Sequence, residues 1–279
     1  METGRASKTA LRVAIRRAAH QLADQPAVLH DPIVLPLLGP GFGRDMERAM
    51  HKVARDFRAF LAARSRYVED RLAEAVANGV TQYVMLGAGL DTFAYRNPFP
   101  SLRVFEVDFP ATQEGKRAML EKAGIPLPEN LTFVPTDFEH HGLGDALADA
   151  GFDPHQPAFF GWLGVVPYLT LDAFRATLGA VAELPAGSAI SFDYIFPPAS
   201  LSPQRRKIFD GLADRVAAAG EPFQLFFTPE QMEVELGRAG FHRVVQVGTE
   251  QLNELYFAGR VDGLRLSLSD MGKLATAWV

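Results

Sequence analysis

The chain has 279 residues, 48% of them hydrophobic and 22% charged, which suits a globular protein with a sizeable core and excludes disordered, collagen-like and fibrous architectures. It contains no cysteine, so a disulfide frame, a thiolate-held zinc or iron–sulfur centre and a thiol nucleophile are excluded together. A formal charge of −5 offers no global field for a nucleic acid, and no nucleic acid partner is expected.

Residues 1 to about 60 carry no strand pattern. They read as helices broken at Pro26, Asp31-Pro32, Pro36 and Gly39-Pro40-Gly41, and residues 1-66 are taken as an N-terminal helical cap or lid. Its arginines, among them Arg12, Arg16, Arg17, Arg55, Arg58, Arg64 and Arg66, are expected mostly on solvated helix faces. Leu11 to Arg17 lacks the continuous apolar run of a signal peptide. The longest uncharged stretch, Ala158 to Leu171, is interrupted by Gly161, Gly164 and Pro167 and falls short of the ~18 apolar residues of a membrane span. A cytoplasmic protein with no membrane partner is the expectation.

From Tyr67 to Ala77, Val68, Leu72 and Val76 recur at i, i+4 and i+8, a helix stopped by Gly79 and packed on a sheet. Apolar β-rich runs then alternate with helical patterns at 82–86, 102–107, 131–134, 157–162 and 188–194, the pattern of βαβ units whose parallel sheet is covered on both faces. Thr228-Pro229-Glu230-Gln231 supplies an N-cap hydroxyl, a first-turn proline and a capping-box glutamine, with Gly240 as the stop. Runs at 243–247 and 254–257 are expected to form a terminal antiparallel pair. The fold class is therefore α/β: a Rossmann-like, doubly wound, mostly parallel seven-stranded sheet over residues 67-279, with the helical cap in front.

The first strand runs into Gly87-Ala88-Gly89-Leu90-Asp91-Thr92, where two glycines let the backbone turn sharply and approach a ligand at the carboxyl edge of the sheet. The second strand ends in Glu106-Val107-Asp108, with an acid 21 residues after Gly87 at the place where ribose hydroxyls lie in such a sheet; Asp108, nearer the loop, is better placed than Glu106. The third leads into Thr136-Asp137-Phe138-Glu139, an acid and an aromatic suited to the amine and the ring of adenine. A nicotinamide-dependent oxidoreductase shares these features, but its fingerprint wants Gly or Ala at the sixth turn position, where this chain has Thr92.

Taken with Tyr95-Arg96, Phe109-Pro110-Ala111-Thr112-Gln113, Lys116, Gly164-Val165-Val166-Pro167-Tyr168-Leu169-Thr170, Ala63-Arg64-Ser65-Arg66 and Tyr256-Phe257-Ala258-Gly259-Arg260, these stretches give a sequence that resembles the leucine carboxyl methyltransferase-like branch of class I S-adenosylmethionine-dependent methyltransferases along nearly its whole length. The resemblance implies S-adenosyl-L-methionine as cofactor. It implies that Gly87 and Gly89 pass under the methionine part, Asp108 holds the ribose, Asp137 and Phe138 frame the adenine, and Ala88, Asp91, Phe109 and Leu163 complete the contacts. Arg64 is implied as the cation for the cofactor carboxylate, a pairing that suits the guanidinium fork, with Arg58 as the competing candidate.

Two positions depart from the family pattern. Phe93 stands where arginine is frequent and Leu163 where glutamate is frequent, so leucine-carboxylate specificity is not carried over, and Trp162, Leu163, Tyr168 and Phe93 point to a more apolar pocket. Methyl transfer from a sulfonium is an in-line displacement that needs alignment and a dry site, with no metal or covalent intermediate. A carboxylate acceptor needs no base, whereas a hydroxyl does; His140, His141 and Tyr168 are the catalytic candidates, and Tyr168, Tyr194 and Phe93 the substrate-binding ones. The expected function is O-methylation of a carboxylate or hydroxyl on a small molecule such as a natural product. A non-catalytic cofactor-binding protein is the remaining alternative, and monomer and homodimer both stay open.

Overall fold

The structure, a computed structural model, describes residues 7–51, 54–136, 142–267 and 270–279. Three helices form the cap: α1 (Lys8–Ala23), α2 (Val34–Leu38) and α3 (Gly43–Met50). They close on a small core of their own, in which Ala14, Ile15, Ala18, Val34 and Leu38 meet Leu90 of the glycine turn. Next comes α4 (Arg55–Ala77), then α5 (Pro110–Lys122), α6 (Leu143–Asp149), α7 (Leu171–Ala182), α8 (Pro203–Ala217), α9 (Pro229–Ala239) and α10 (Thr249–Tyr256). Among the described residues no helix is long and apolar enough to cross a membrane.

The strands are β1 (Gln82–Leu86), β2 (Arg103–Asp108), β3 (Leu131–Pro135), β4 (Ala158–Trp162), β5 (Ala189–Ile195), β6 (Arg243–Val247) and β7 (Gly272–Trp278). They form one sheet in the order β3-β2-β1-β4-β5-β7-β6, parallel except for β7, which runs antiparallel to both neighbours. This is the doubly wound, mostly parallel seven-stranded sheet expected from the apolar runs. β1 and β4 are buried along their whole length because helices cover both faces. One face packs Val84, Phe105 and Phe160 against Leu143, Phe174, Leu178 and Met232 of α6, α7 and α9. The other packs Tyr83, Met85 and Phe159 against Ala62, Val68 and Leu72 of α4 and Leu252 of α10. The strand order reverses between β1 and β4, so the crevice for a ligand opens at their carboxyl ends.

The helix entered at Thr228 forms as expected, with Thr228 and Gln231 exchanging capping-box bonds and Gly240 in the left-handed region at φ 106°. The terminal pair does not. Residues 254–257 lie mostly in α10, whose Leu252 is buried while Glu250 and Glu254 face outward, and the strand beside β6 is β7. The Leu-Ala-Thr-Ala of β7 is buried on both faces and shows no alternation, so it carried no strand pattern in the sequence.

Two further expectations change. Residue pair 66/67 falls inside α4, an unbroken helix whose Ala59 and Ala63 pack inward before Val68 and Leu72 reach the sheet side. The arginines are not all solvated. Arg17 is buried and donates to Asp31 (2.7 Å), Asp91 (2.5 Å) and Thr92 (3.0 Å), while buried Arg58 donates to both oxygens of Asp24 (2.7 and 2.8 Å) and to the Ala49 carbonyl (2.6 Å). His20 Nε2 accepts the Val28 N–H, which leaves the proton on Nδ1 for Asp24 at 2.9 Å. Such pairs persist in a low-dielectric interior because every cation is matched.

Candidate functional site

The glycine turn is pressed from two sides. Gly87 and Gly89 have φ of +66° and +50°, and the N–H groups of Gly87 and Ala88 both bond the Val107 carbonyl, folding the chain back over β2. A Cβ on Gly87 would lie 2.3 Å from Val165 Cγ2 in the loop after β4, and one on Gly89 would lie 3.1 Å from Ala10 Cβ of α1. Neither position has room for a side chain.

Asp108 ends β2 beneath this turn and is 7% exposed. Its carboxylate accepts the N–H groups of Gly89 (2.5 Å) and Phe109 (2.7 Å), and burial pushes its pKa upward against those two bonds. Glu106, two residues back, is buried against Lys116 at 2.6 Å, and burial raises it to about 7 despite that lysine. The sequence placed Asp108 at the ligand edge ahead of Glu106, and the structure puts them so.

Arg64 reaches the same edge from α4. Its Nη1 donates to Asp193 Oδ2 at 2.8 Å, and Asp193 Oδ1 accepts the Gly164 N–H at 2.5 Å. Its Nε is buried without a hydrogen-bond partner. Arg58, the competing cation, is spent on Asp24 and does not reach the edge. Asp91 ties the turn to the cap: burial raises its pKa, but Arg17 and then Arg96 outweigh burial and hold it at about 2. Thr92, at the departed fingerprint position, is fully buried and accepts from Arg17.

These groups open into one cavity of about 860 Å³, reached by Arg64, Gly87, Ala88, Gly89, Asp91 and Asp108, and also by Phe109, Leu163 and Tyr168. That volume suits a nucleoside-sized ligand with a small second molecule. The first turn of α1 forms its front wall. Ser7, the N-cap, and Thr9 both donate to Glu221 in the segment after α8.

Tyr168 sits at the cavity with its ring 5.2 Å from Phe223; burial raises its phenol pKa, so at neutral pH it carries its proton and acts as a donor rather than a base. Tyr194 touches the cavity, but its hydroxyl donates to Gln246 on the other side of the sheet. Phe93 does not reach it: the short 3-10 helix Phe93–Arg96 turns the ring inward, edge-on to Tyr83 at 5.1 Å. Trp162 is likewise core, stacked on Phe174 at 5.7 Å, so neither aromatic shapes the pocket as the sequence suggested. Asp137, Phe138, His140 and His141 lie outside the described residues. Glu221, Val165 and Phe57 reach the site from distant parts of the chain, and nothing local in sequence marks them.

The model of the leucine carboxyl methyltransferase family matches residues 10–182, from the first turn of α1 to the end of α7. A Bacillus subtilis protein named "Putative S-adenosyl-L-methionine-dependent methyltransferase YktD" is 32% identical over 291 aligned positions, 95% of each chain. A similarly named Saccharopolyspora erythraea protein is 34% identical over 199 positions, 67% of each. In fold, the chain resembles a DUF574 family protein from Streptomyces avermitilis with a TM-score of 0.64 at 16% identity, over 98% of this chain and 97% of that one. A Thermobifida fusca structure titled as a methyltransferase gives 0.58 at 20% identity, over 99% and 96%. With the match running through the cap, the glycine turn and the Asp108 edge alike, this protein belongs to the leucine carboxyl methyltransferase family.

Proposed function

We propose that this chain is an S-adenosyl-L-methionine-dependent O-methyltransferase that acts on a carboxylate of a small molecule. The methyltransferase class follows from family membership. The residues present fit the cofactor: the turn at Gly87 and Gly89 leaves backbone bare to a ligand, Asp108 keeps acceptor capacity for ribose hydroxyls beside its two backbone bonds, and the orphaned Nε of Arg64 is aimed where a carboxylate would complete it. When bound, S-adenosylmethionine supplies a methyl group that an oxygen nucleophile takes by in-line displacement. The protein's contribution is alignment and the exclusion of water by α1 and the Glu221 segment.

The acceptor class rests on one observation. Each carboxylate at the cavity among the described residues is already engaged: Asp91 by Arg17, Asp193 by Arg64, Asp45 by Arg48, Glu221 by Ser7 and Thr9, and Asp108 by two N–H groups. A hydroxyl acceptor needs a free base within reach, whereas a carboxylate is ionised at neutral pH and needs none. Tyr168 can donate to the carboxylate oxygen that is not methylated.

Calorimetric titration with S-adenosylmethionine and its demethylated product tests the cofactor site. Wild type should bind both, and Asp108→Ala and Arg64→Ala should weaken them at least about tenfold, the worth of a charge-assisted hydrogen bond. Absence of binding, or unchanged binding in Asp108→Ala, overturns the assignment. With methyl-labelled cofactor and a panel of carboxylic acids and phenols, a product that releases labelled methanol in mild base is an ester and supports the carboxylate; a base-stable product is an ether and refutes it.

A further inference from the structure

The cavity has a second polar region that the cofactor does not account for. Arg12 and Arg16 project from α1 one turn apart, and Arg215 comes from the last turn of α8. All three line the cavity, and among the described residues none of the three has an acidic partner. Arg16 Nη1 donates to the Arg12 carbonyl (3.0 Å), and Arg12 Nη1 lies 3.5 Å from the Arg215 carbonyl oxygen. Arg16 is partly buried, its guanidinium lies 5.2 Å above the Phe57 ring, and its Nε is buried with no hydrogen-bond partner. The carbonyl end of α8 favours one nearby cation, not three. Burial, then Arg215 and Arg12, lower the pKa of Arg16.

Elsewhere in this molecule buried arginines are matched by carboxylates, as Arg17 is by Asp31 and Asp91 and Arg58 by Asp24. An uncompensated cluster at a cavity wall, in a chain whose net charge is −5, is an arrangement completed by an anion from outside. The cluster is distinct from the cofactor edge: Phe57, beneath Arg16, precedes Arg64 on α4 by two helical turns, about 10 Å. Phe57, Phe60 and Leu61 line the cavity on α4 as well.

We propose that Arg12, Arg16 and Arg215 form an oxyanion site at the outer end of the cavity, which holds a second anionic group, carboxylate or phosphate, on a methyl acceptor whose apolar body lies along Phe57 and Phe60. The inference deepens the methyltransferase reading and rests on it. The acceptor is thus an amphiphile with two ends: the oxygen that takes the methyl group near Arg64 and an anion that fixes the far end. Bidentate guanidinium contacts at that distance set the length of the molecule that can react.

Calorimetry on the protein saturated with S-adenosylhomocysteine tests the site, with phenyl phosphate and phenylacetate as probes and benzyl alcohol as the neutral control. Both anions should bind more tightly than benzyl alcohol, weaken as salt rises, and weaken at least about tenfold in Arg16→Gln and in the exposed-rim variant Arg215→Gln, with benzyl alcohol unchanged. Tighter binding of phenyl phosphate assigns a phosphate, tighter binding of phenylacetate a carboxylate. Anions that bind no better than benzyl alcohol, or that are indifferent to both substitutions, overturn the proposal. Binding of S-adenosylhomocysteine to wild type and to Arg16→Gln is measured first: its failure in wild type defeats the cofactor reading separately, and the same titrations on the protein alone still judge the anion site.

Discussion

Asp24 holds together three segments of the cap, since Arg58 of α4 grips both its oxygens while His20 of α1 donates to one of them. Asp24→Ala would leave Arg58 charged and buried without a partner, and should destabilise the protein by about 3–5 kcal/mol in urea unfolding. Asp24 and Asp91 share a pH signature. Burial raises each, but for Asp24 the bonds from Arg58 and His20, and for Asp91 the charges of Arg17 and Arg96, prevail and hold both at about 2 against an ordinary 3.8. A depressed carboxyl pKa contributes stability that is present above pH 4 and lost as the pH falls from about 4 to about 2, at about 2 kcal/mol for each group. Urea midpoints recorded from pH 7 to pH 2.5 should fall steeply in that window, and less steeply in Asp91→Asn. At Gly87 the argument is steric: alanine would meet Val165 in a left-handed backbone, costing about 2–4 kcal/mol and weakening cofactor binding beyond that of any surface Gly→Ala variant. Of these residues, Gly87 and Asp108 were legible because strand and loop patterns place them at one edge. Arg64 was legible only through the family resemblance. Arg17 and Arg58 were misread because charge spacing on a helix says nothing about an acid that arrives from elsewhere in the chain.

At the level of elements, legibility followed amphipathicity and caps. The helix from Pro229 was readable to its last residue because Thr228, Gln231 and Gly240 each act locally. Thr228→Ala removes that cap and should cost about 1 kcal/mol in thermal or urea unfolding while leaving cofactor affinity unchanged, a control that separates stability from function. The five central strands were visible as apolar runs. The tail was not: Glu254-Leu255-Tyr256-Phe257 is rich in strand-favouring residues yet closes a helix, while the helix-tolerant Leu-Ala-Thr-Ala of β7 is drawn into the sheet between β5 and β6. Tertiary demand outweighs propensity there, because an open sheet edge beside β5 needs a partner more than those residues prefer any local state. Phe93 and Trp162 illustrate the same limit: an aromatic near a turn looks alike in sequence whether it faces a ligand or the core.

Across the whole molecule, the division into cap and sheet that a sequence invites is bridged by α4, which runs through both without a break. The far end of α1 is fixed by Arg17, His20 and the buried acids around them, whereas its first turn is held to the rest by the Ser7 and Thr9 bonds to Glu221. Glu221→Gln should therefore raise amide exchange in residues 8–12 and leave residues 15–20 protected, as hydrogen–deuterium exchange would report. That first turn is also the front wall over Gly89, so whatever precedes Ser7 hangs at the mouth of the cavity. The other end of the chain is fastened far away, with the Val279 N–H on the Ser188 carbonyl at the amino-terminal edge of β5, opposite the ligand crevice. For anyone handling this protein the asymmetry is practical: an affinity handle placed ahead of Ser7 would sit in the doorway and slow the traffic of small molecules, while one placed behind Val279 would leave it clear.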